Sequence, residues 1–177
     1  ELCVQTIEEN YQVQIDNYAM LDFNSMADIV EAIGGVELEI SEEEMEHINK
    51  RLPEQYKVAG KGDPVYLDHA GEVWLDGYQA VAYTRDRYTG STSDFGRTER
   101  QRKLLTAIFE KVKSDYVETQ STSTLQSLLS YTSHDLTGGD TLKLMMKASD
   151  WMNYKLEEVR VPFDDMYYSE NEILIPT

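Results

Sequence analysis

The chain has 177 residues, 41% of them hydrophobic, and a formal net charge of −17 from 33 Asp and Glu against 16 Lys and Arg. That length and apolar content suffice for one well-buried core, so disorder is excluded as a starting point; the acidity excludes general nucleic-acid binding, which needs a broad basic surface that displaces counterions from many phosphates. No apolar run reaches the roughly 18 to 20 residues that span a bilayer, the opening residues lack the basic-then-apolar layout of a signal peptide, and Cys3, the single cysteine, permits no internal disulfide.

In chain order, Leu2, Val4, Ile7 and Tyr11 space out an apolar helix that starts with no lead-in segment, as a piece cut within a domain would. An alternating stretch from Ile15 to Phe23 reads as a strand. Asn24 then caps a helix with Met26, Ile29, Val30 and Ile33 on one face, stopped by Gly34-Gly35. Val36 to Ile40 alternates as a half-exposed strand, and Ser41-Glu-Glu-Glu-Met-Glu46 reads as the capped start of an acidic, solvated helix. Pro53, Gly60, Gly62, Pro64 and Gly71 make residues 52–71 a loop. A helix is expected from about Asp76 to Tyr83, with Tyr78, Val81 and Ala82 inward, leading directly into Arg85 and Arg87. After a Gly90-Ser-Thr-Ser loop, a long helix runs from about Phe95 to Lys113. Another follows from about Thr124 to Tyr131, and Gly138-Gly139-Asp140 precedes a Met-rich helix ending near Met152. Lys155 to Phe163 alternates as a strand, and Ile173-Leu-Ile175 adds a short one. Interleaved helices and strands predict an α/β layered architecture.

Five of the chain's seven arginines fall between Arg85 and Arg102. From Arg85 to Lys103, six basic residues (Arg85, Arg87, Arg97, Arg100, Arg102, Lys103) stand against Asp86, Asp94 and Glu99, a positive island on an acidic body. Arginine forks pair two-pronged with phosphate or carboxylate, and phosphate is the favoured target. At about 100° per residue, Arg97, Gln101, Leu104, Ile108 and Val112 share one stripe, with Leu105 at its edge. Arg97 and Gln101 thus continue the buried face, where polar groups must be satisfied internally or face a cleft. Asp94 caps the helix, whose first-turn N–H groups favour an anion. Arg85 and Arg87, if extended, project to one side. Two readings stand on spacing alone. One is a phosphate clamp; the other is an internal Arg–Asp network through Asp86 and Asp94, with Gln101 tying helix to loop.

Other candidates reduce to structure. His47, His69 and His134 lack metal-ligand spacing and read as surface or capping residues. Ala59-Gly-Lys-Gly-Asp63 lacks the P-loop spacing. Leu144, Met145, Met146, Trp151 and Met152 read as core packing, and Cys3 as a small buried residue.

Leu75-Asp-Gly-Tyr-Gln-Ala-Val-Ala-Tyr-Thr-Arg-Asp-Arg87, followed by Asp94-Phe-Gly-Arg-Thr-Glu-Arg-Gln-Arg-Lys-Leu-Leu105, resembles the signature of LytR-CpsA-Psr proteins. Tyr18-Ala-Met-Leu-Asp-Phe-Asn24 through Ile33-Gly-Gly-Val36 resembles that family's central segment, and the likeness extends to Val161-Pro162 and the Ile-Pro ending. The resemblance implies an α-β-α domain with a mixed central sheet, of which residues 1–177 form a single fragment without the N-terminal strands. It also implies a membrane-anchored enzyme outside the cell membrane of mainly Gram-positive bacteria, the anchor lying beyond this chain. The family transfers a phosphate-linked glycopolymer, teichoic acid or capsule, from a polyprenyl-pyrophosphate lipid to peptidoglycan. By this resemblance Arg85, Arg87, Arg97 and Gln101 contact the pyrophosphate, the three arginines acting in catalysis, and Asp94 orients the loop. Mg²⁺ is implied, with ligands from the preceding region that nothing here matches, and some of the Met-rich helix lines the lipid cavity. A noncatalytic module that holds pyrophosphate lipid or anionic polymer through the same arginines is the competing reading. A transcriptional attenuator, an older association of the family, is opposed by the −17 charge and the lack of a basic helix-turn-helix face.

Overall fold

The computed structural model describes residues 2–12, 14–87, 93–119, 123–151, 153–155, 167–170 and 173–176. Its elements are α1 (Leu2–Tyr11), β1 (Ala19–Met20), α2 (Phe23–Ala32), β2 (Val36–Ile40), α3 (Glu42–Val58), β3 (Gly71–Leu75) and α4 (Gly77–Thr84). They continue with α5 (Ser93–Thr119), α6 (Ser123–Ser130), β4 (Ser133–His134), α7 (Gly138–Met146), α8 (Ala148–Trp151), β5 (Tyr167–Glu170) and β6 (Ile173–Pro176). Helices and strands interleave as expected, and the strands pair antiparallel as β1 with β4, β2 with β3 and β5 with β6.

The core forms where β2 and β3 meet α2, α3, α4 and α5. Val36 lies opposite Leu75 and Leu38 opposite Val73, and these inward side chains join Val30, Ile48, Leu52, Tyr83 and Leu104 in one apolar cluster. Glu37, Glu39, Glu72 and Trp74 take the alternate, exposed positions, as the two-residue period of a half-buried ladder requires.

Helix α4 is the centre of this core, buried at every position but Tyr78. Asp76 starts it: its carboxylate accepts from the N–H groups of Tyr78 and Gln79, while the Gln79 side chain accepts from the Asp76 N–H. That reciprocal cap satisfies donors that would otherwise be orphaned inside the protein. Small residues let α4 approach its neighbours. A Cβ on Gly77 would lie 2.3 Å from the Ala27 carbonyl oxygen of α2, so glycine here is a packing requirement. Gly77→Ala is expected to destabilise the fold by about 1–3 kcal/mol through overpacking, read as a lower denaturation midpoint with an unchanged m-value.

Several expectations need correction. The stretch 15–23 pairs as a strand only at Ala19–Met20, and Asp22, not Asn24, caps α2 through a bond to the Ser25 N–H. Residues 52–58 are helical because α3 runs through Pro53. Interior proline costs about 3 kcal/mol, but Pro53 sits on the exposed side while Leu52, Gln55 and Tyr56 are buried, so packing outweighs the lost bond. Strand β3 follows the glycine-rich loop unannounced, because only Val73 and Leu75 carry its inward face. The helix expected from Phe95 begins at Ser93, which puts Asp94 inside the first turn instead of at the cap. The Met-rich segment is two helices, broken at Lys147, and Met146 is exposed. Cys3 is exposed as well, and no residue of α1 is buried. The 90–93 loop, the 155–163 strand, Met152 and Val161-Pro162 fall wholly or almost wholly outside the described residues.

Candidate functional site

Two sequence features bring the basic residues together. At the end of α4 the Arg85 N–H still bonds back to Val81, closing the helix, after which the chain opens out. Arg85 has helical backbone angles (φ −91, ψ −4), so the extended geometry expected of it is wrong, yet the alternation survives. Arg85 and Arg87 turn into one cavity, and Asp86 between them is 1% exposed and points into the protein. On α5, burial of Leu104 and Ile108, with Val112 packed against the core, fixes the helix phase. The same phase carries Arg97 and Gln101 to the cavity wall.

The cavity, of about 340 Å³, is lined by Phe23, Arg51, Thr84, Arg85, Arg87, Arg97 and Gln101. Four guanidinium groups and no carboxylate among its described lining residues make it strongly electropositive in a protein of net charge −17,. The Arg85 guanidinium lies 4.8 Å from the centre of the Phe23 ring, within cation–π range. The predicted residues Arg85, Arg87, Arg97 and Gln101 are therefore brought together, whereas the Asp94 side chain lies outside the described residues.

A second cavity of about 410 Å³ adjoins the first and shares Phe23, Thr84 and Gln101 with it; its other walls are Ala19, Leu21, Asp22, Met26 and Leu105. Leu21, Phe23, Met26 and Leu105 give it an apolar floor. Phe23 and Leu105 are about half exposed, which leaves greasy surface beside a cluster of fixed positive charge.

Beneath the cavity runs a buried ion network. Arg100, 6% exposed, donates from Nε to Glu44 Oε1 at 2.7 Å and sets Nη2 3.7 Å from Asp86 Oδ2. His47 Nε2 lies 3.3 Å from Asp86 Oδ1 and accepts from Arg51 Nε at 2.7 Å. Burial, together with Arg51, Lys50 and Arg100, holds His47 below its ordinary 6.5 against the pull of Asp86,. Burial likewise pushes the Tyr83 hydroxyl well above the usual tyrosine range. The island thus divides: Arg85, Arg87 and Arg97 face the cavity, and Arg100 pairs internally with Asp86 and Glu44, so among the described residues of the rival network only Asp86 takes part, while Gln101 lines the cavity.

His47 is a member of this network and not a surface or capping residue. Arg51 and Phe23 were not anticipated at the site. His47, Arg51 and Gln55 recur every fourth residue beside the buried line Ile48, Leu52, Tyr56, a signal hidden by reading a loop from residue 52. Among the described residues no group of three or more His, Cys, Asp or Glu side chains is placed to hold a metal. Asp86 and Glu44, the carboxylates beneath the cavity, are engaged with Arg100, so these residues do not supply an Mg²⁺ site. No helix among the described residues is long and apolar enough to cross a membrane.

The chain is similar to known proteins throughout its length. The polyisoprenyl-teichoic acid–peptidoglycan teichoic acid transferase TagV of Bacillus subtilis is 24% identical over 175 residues, 95% of this chain and 40% of TagV. The corresponding transferase TagU of Enterococcus faecalis is 30% identical over 135 residues, 76% of this chain and 38% of TagU. The chain thus spans less than half the length of these relatives. Among solved structures, one described as TagT bound to LI-WTA superposes with a TM-score of 0.57 at 28% identity, over 84% of this chain and 50% of that one. The sequence model of the LytR_cpsA_psr family matches residues 1–176. The arginine-lined cavity and its apolar neighbour accordingly sit in a protein that belongs to the LytR-CpsA-Psr family.

Proposed function

We propose that this protein transfers an anionic glycopolymer, of the teichoic acid or capsule type, from a polyprenyl-pyrophosphate lipid to peptidoglycan at the outer face of the cell membrane. The observation that carries the reading is the join between the four-arginine cavity and the apolar groove, which meet at Phe23, Thr84 and Gln101. A prenyl pyrophosphate has the same join: a doubly charged head on a hydrocarbon chain. The names of TagV and TagU and the LI-WTA-bound TagT structure support the substrate class.

The reaction attaches the polymer-bearing phosphate to a sugar hydroxyl. The hydroxyl oxygen bonds to that phosphorus, the bridging P–O bond of the pyrophosphate breaks, the hydroxyl proton leaves to base or solvent, and prenyl phosphate departs. Such transfers depend chiefly on positioning and on neutralising charge spread over the equatorial and leaving oxygens. Arg85, Arg87 and Arg97 supply that charge, with Arg85 placed over the Phe23 ring, and Gln101 orients an oxygen at the boundary with the groove. Mg²⁺ belongs to the proposal with ligands from outside the described residues. An anchor outside this chain would hold the site at the membrane surface.

The test is transfer of a labelled glycopolymer from its pyrophosphate lipid to peptidoglycan, with and without Mg²⁺. Covalent label in peptidoglycan together with released prenyl phosphate is the expected result. Saturable lipid binding with no transfer under any condition would instead identify a noncatalytic module.

A further inference from the structure

We infer that neutral His47 holds Arg51 in place as the fourth arm of the anion cavity, and that protonating His47 transfers the imidazole to Asp86 and lets Arg51 go. The inference rests on the reading of the cavity as a pyrophosphate site. Its basis is one atom with two claimants. His47 Nε2 accepts the Arg51 Nε–H at 2.7 Å, and the same nitrogen lies 3.3 Å from Asp86 Oδ1. A guanidinium is always a donor and an ionised carboxylate always an acceptor, whereas an imidazole nitrogen is one or the other according to its proton. With a lone pair, Nε2 serves Arg51. With a proton, it opposes the Arg51 N–H and turns to Asp86. The two arrangements exclude each other, and the shorter of the two contacts, to Arg51, is the one a neutral ring makes.

The surroundings set the direction of the switch. Lys50 and Arg51 face His47 from its own helix, Arg100 from α5, and Asp86 from the segment after α4; Arg100 is in turn tied to Glu44. Three cations and burial of the ring, 14% exposed, oppose protonation. Protonation accordingly comes only as pH falls below the ordinary histidine value of 6.5. Above that, Arg51 stays on the wall beside Arg85, Arg87 and Arg97. His47 touches none of the reacting groups; it is a positioning residue, and it makes anion affinity depend on pH.

The experiment is binding of a P1,P2-dibutyl pyrophosphate diester, whose two charges do not titrate between pH 5 and 7.5, to the full chain and its variants by calorimetry. Wild type is expected to lose about tenfold in affinity on going from pH 7.5 to 5, the scale of one charge-assisted hydrogen bond. R51A is expected to be about tenfold weaker at pH 7.5 and flat with pH. H47L, with no acceptor, should bind at every pH as wild type does at pH 5. H47Q, whose amide oxygen accepts without titrating, should lose the pH slope; loss of packing alone would not remove it. A slope that persists in H47Q or R51A overturns the inference and leaves the cavity reading intact. No binding by wild type at any pH overturns both. Far-UV circular dichroism at each pH confirms that every variant compared is folded.

Discussion

Arg87→Ala and Arg97→Ala are each expected to lower transfer from a pyrophosphate lipid by about a hundredfold to a thousandfold, the range for removing one positioned donor from a developing negative charge. The loss should fall on kcat as well as on kcat/KM, because a guanidinium that meets charge formed in the transition state does more there than in the ground state. Stability should barely change. Both residues line the cavity, with Arg87 exposed and Arg97 half-buried, so the thermal midpoint serves as a control. Lysine at either position should restore only part of the rate, since a point charge lacks the planar fork. Near-normal turnover in either alanine variant would remove that residue from the mechanism.

Arg100→Ala is expected to do the opposite, destabilising the protein by about 3–5 kcal/mol, as breaking a buried ion pair does. The reason is what it leaves behind. Glu44 and Asp86 would lose the guanidinium between α3 and the end of α4, and Asp86 is 1% exposed, out of reach of water. The Lys103–Glu99 pair one turn away is more than half exposed on both sides, so Lys103→Ala should cost well under about 1 kcal/mol. Urea denaturation of both variants measures the contrast. Equal, small losses would mean that the network under the cavity carries no stability. Reduced transfer in Arg100→Ala should follow from the fraction folded.

Arg97 and Arg100 differ by three positions on α5, and the helix period alone does not distinguish them. Arg97 and Gln101 were legible as cavity residues because they continue the stripe of Leu104, Ile108 and Val112 toward an end with no apolar partner. Arg100 stands four residues before Leu104 and therefore also on the inward line, where its side chain meets Glu44 instead of space. Spacing alone does not reveal whether a polar residue on a buried face meets a cleft or a counter-charge; that depends on α3, which is distant in sequence. The same limit hid Arg51. Pro53 reads locally as the end of a helix, and only the burial of Leu52, Gln55 and Tyr56 against the rest of the core carries α3 past it. What was plain in the sequence is local chemistry: the Ser41 cap, the alternation of Val36 to Ile40, and the density of arginine after α4. What was not plain is tertiary, as with β3, whose five residues make a strand only because β2 is there to pair with.

The central claim is that one ligand occupies both cavities, its charged head among Arg85, Arg87, Arg97 and Arg51 and its chain over Leu21, Phe23, Met26 and Leu105. A crystal structure with a short-chain prenyl-pyrophosphoryl sugar tests it most directly. Phosphate oxygens are expected within hydrogen-bond distance of at least two of those guanidinium groups, with the first isoprene units against Phe23 and Leu105. Phosphates bound elsewhere, or a prenyl chain lying away from that groove, would contradict it.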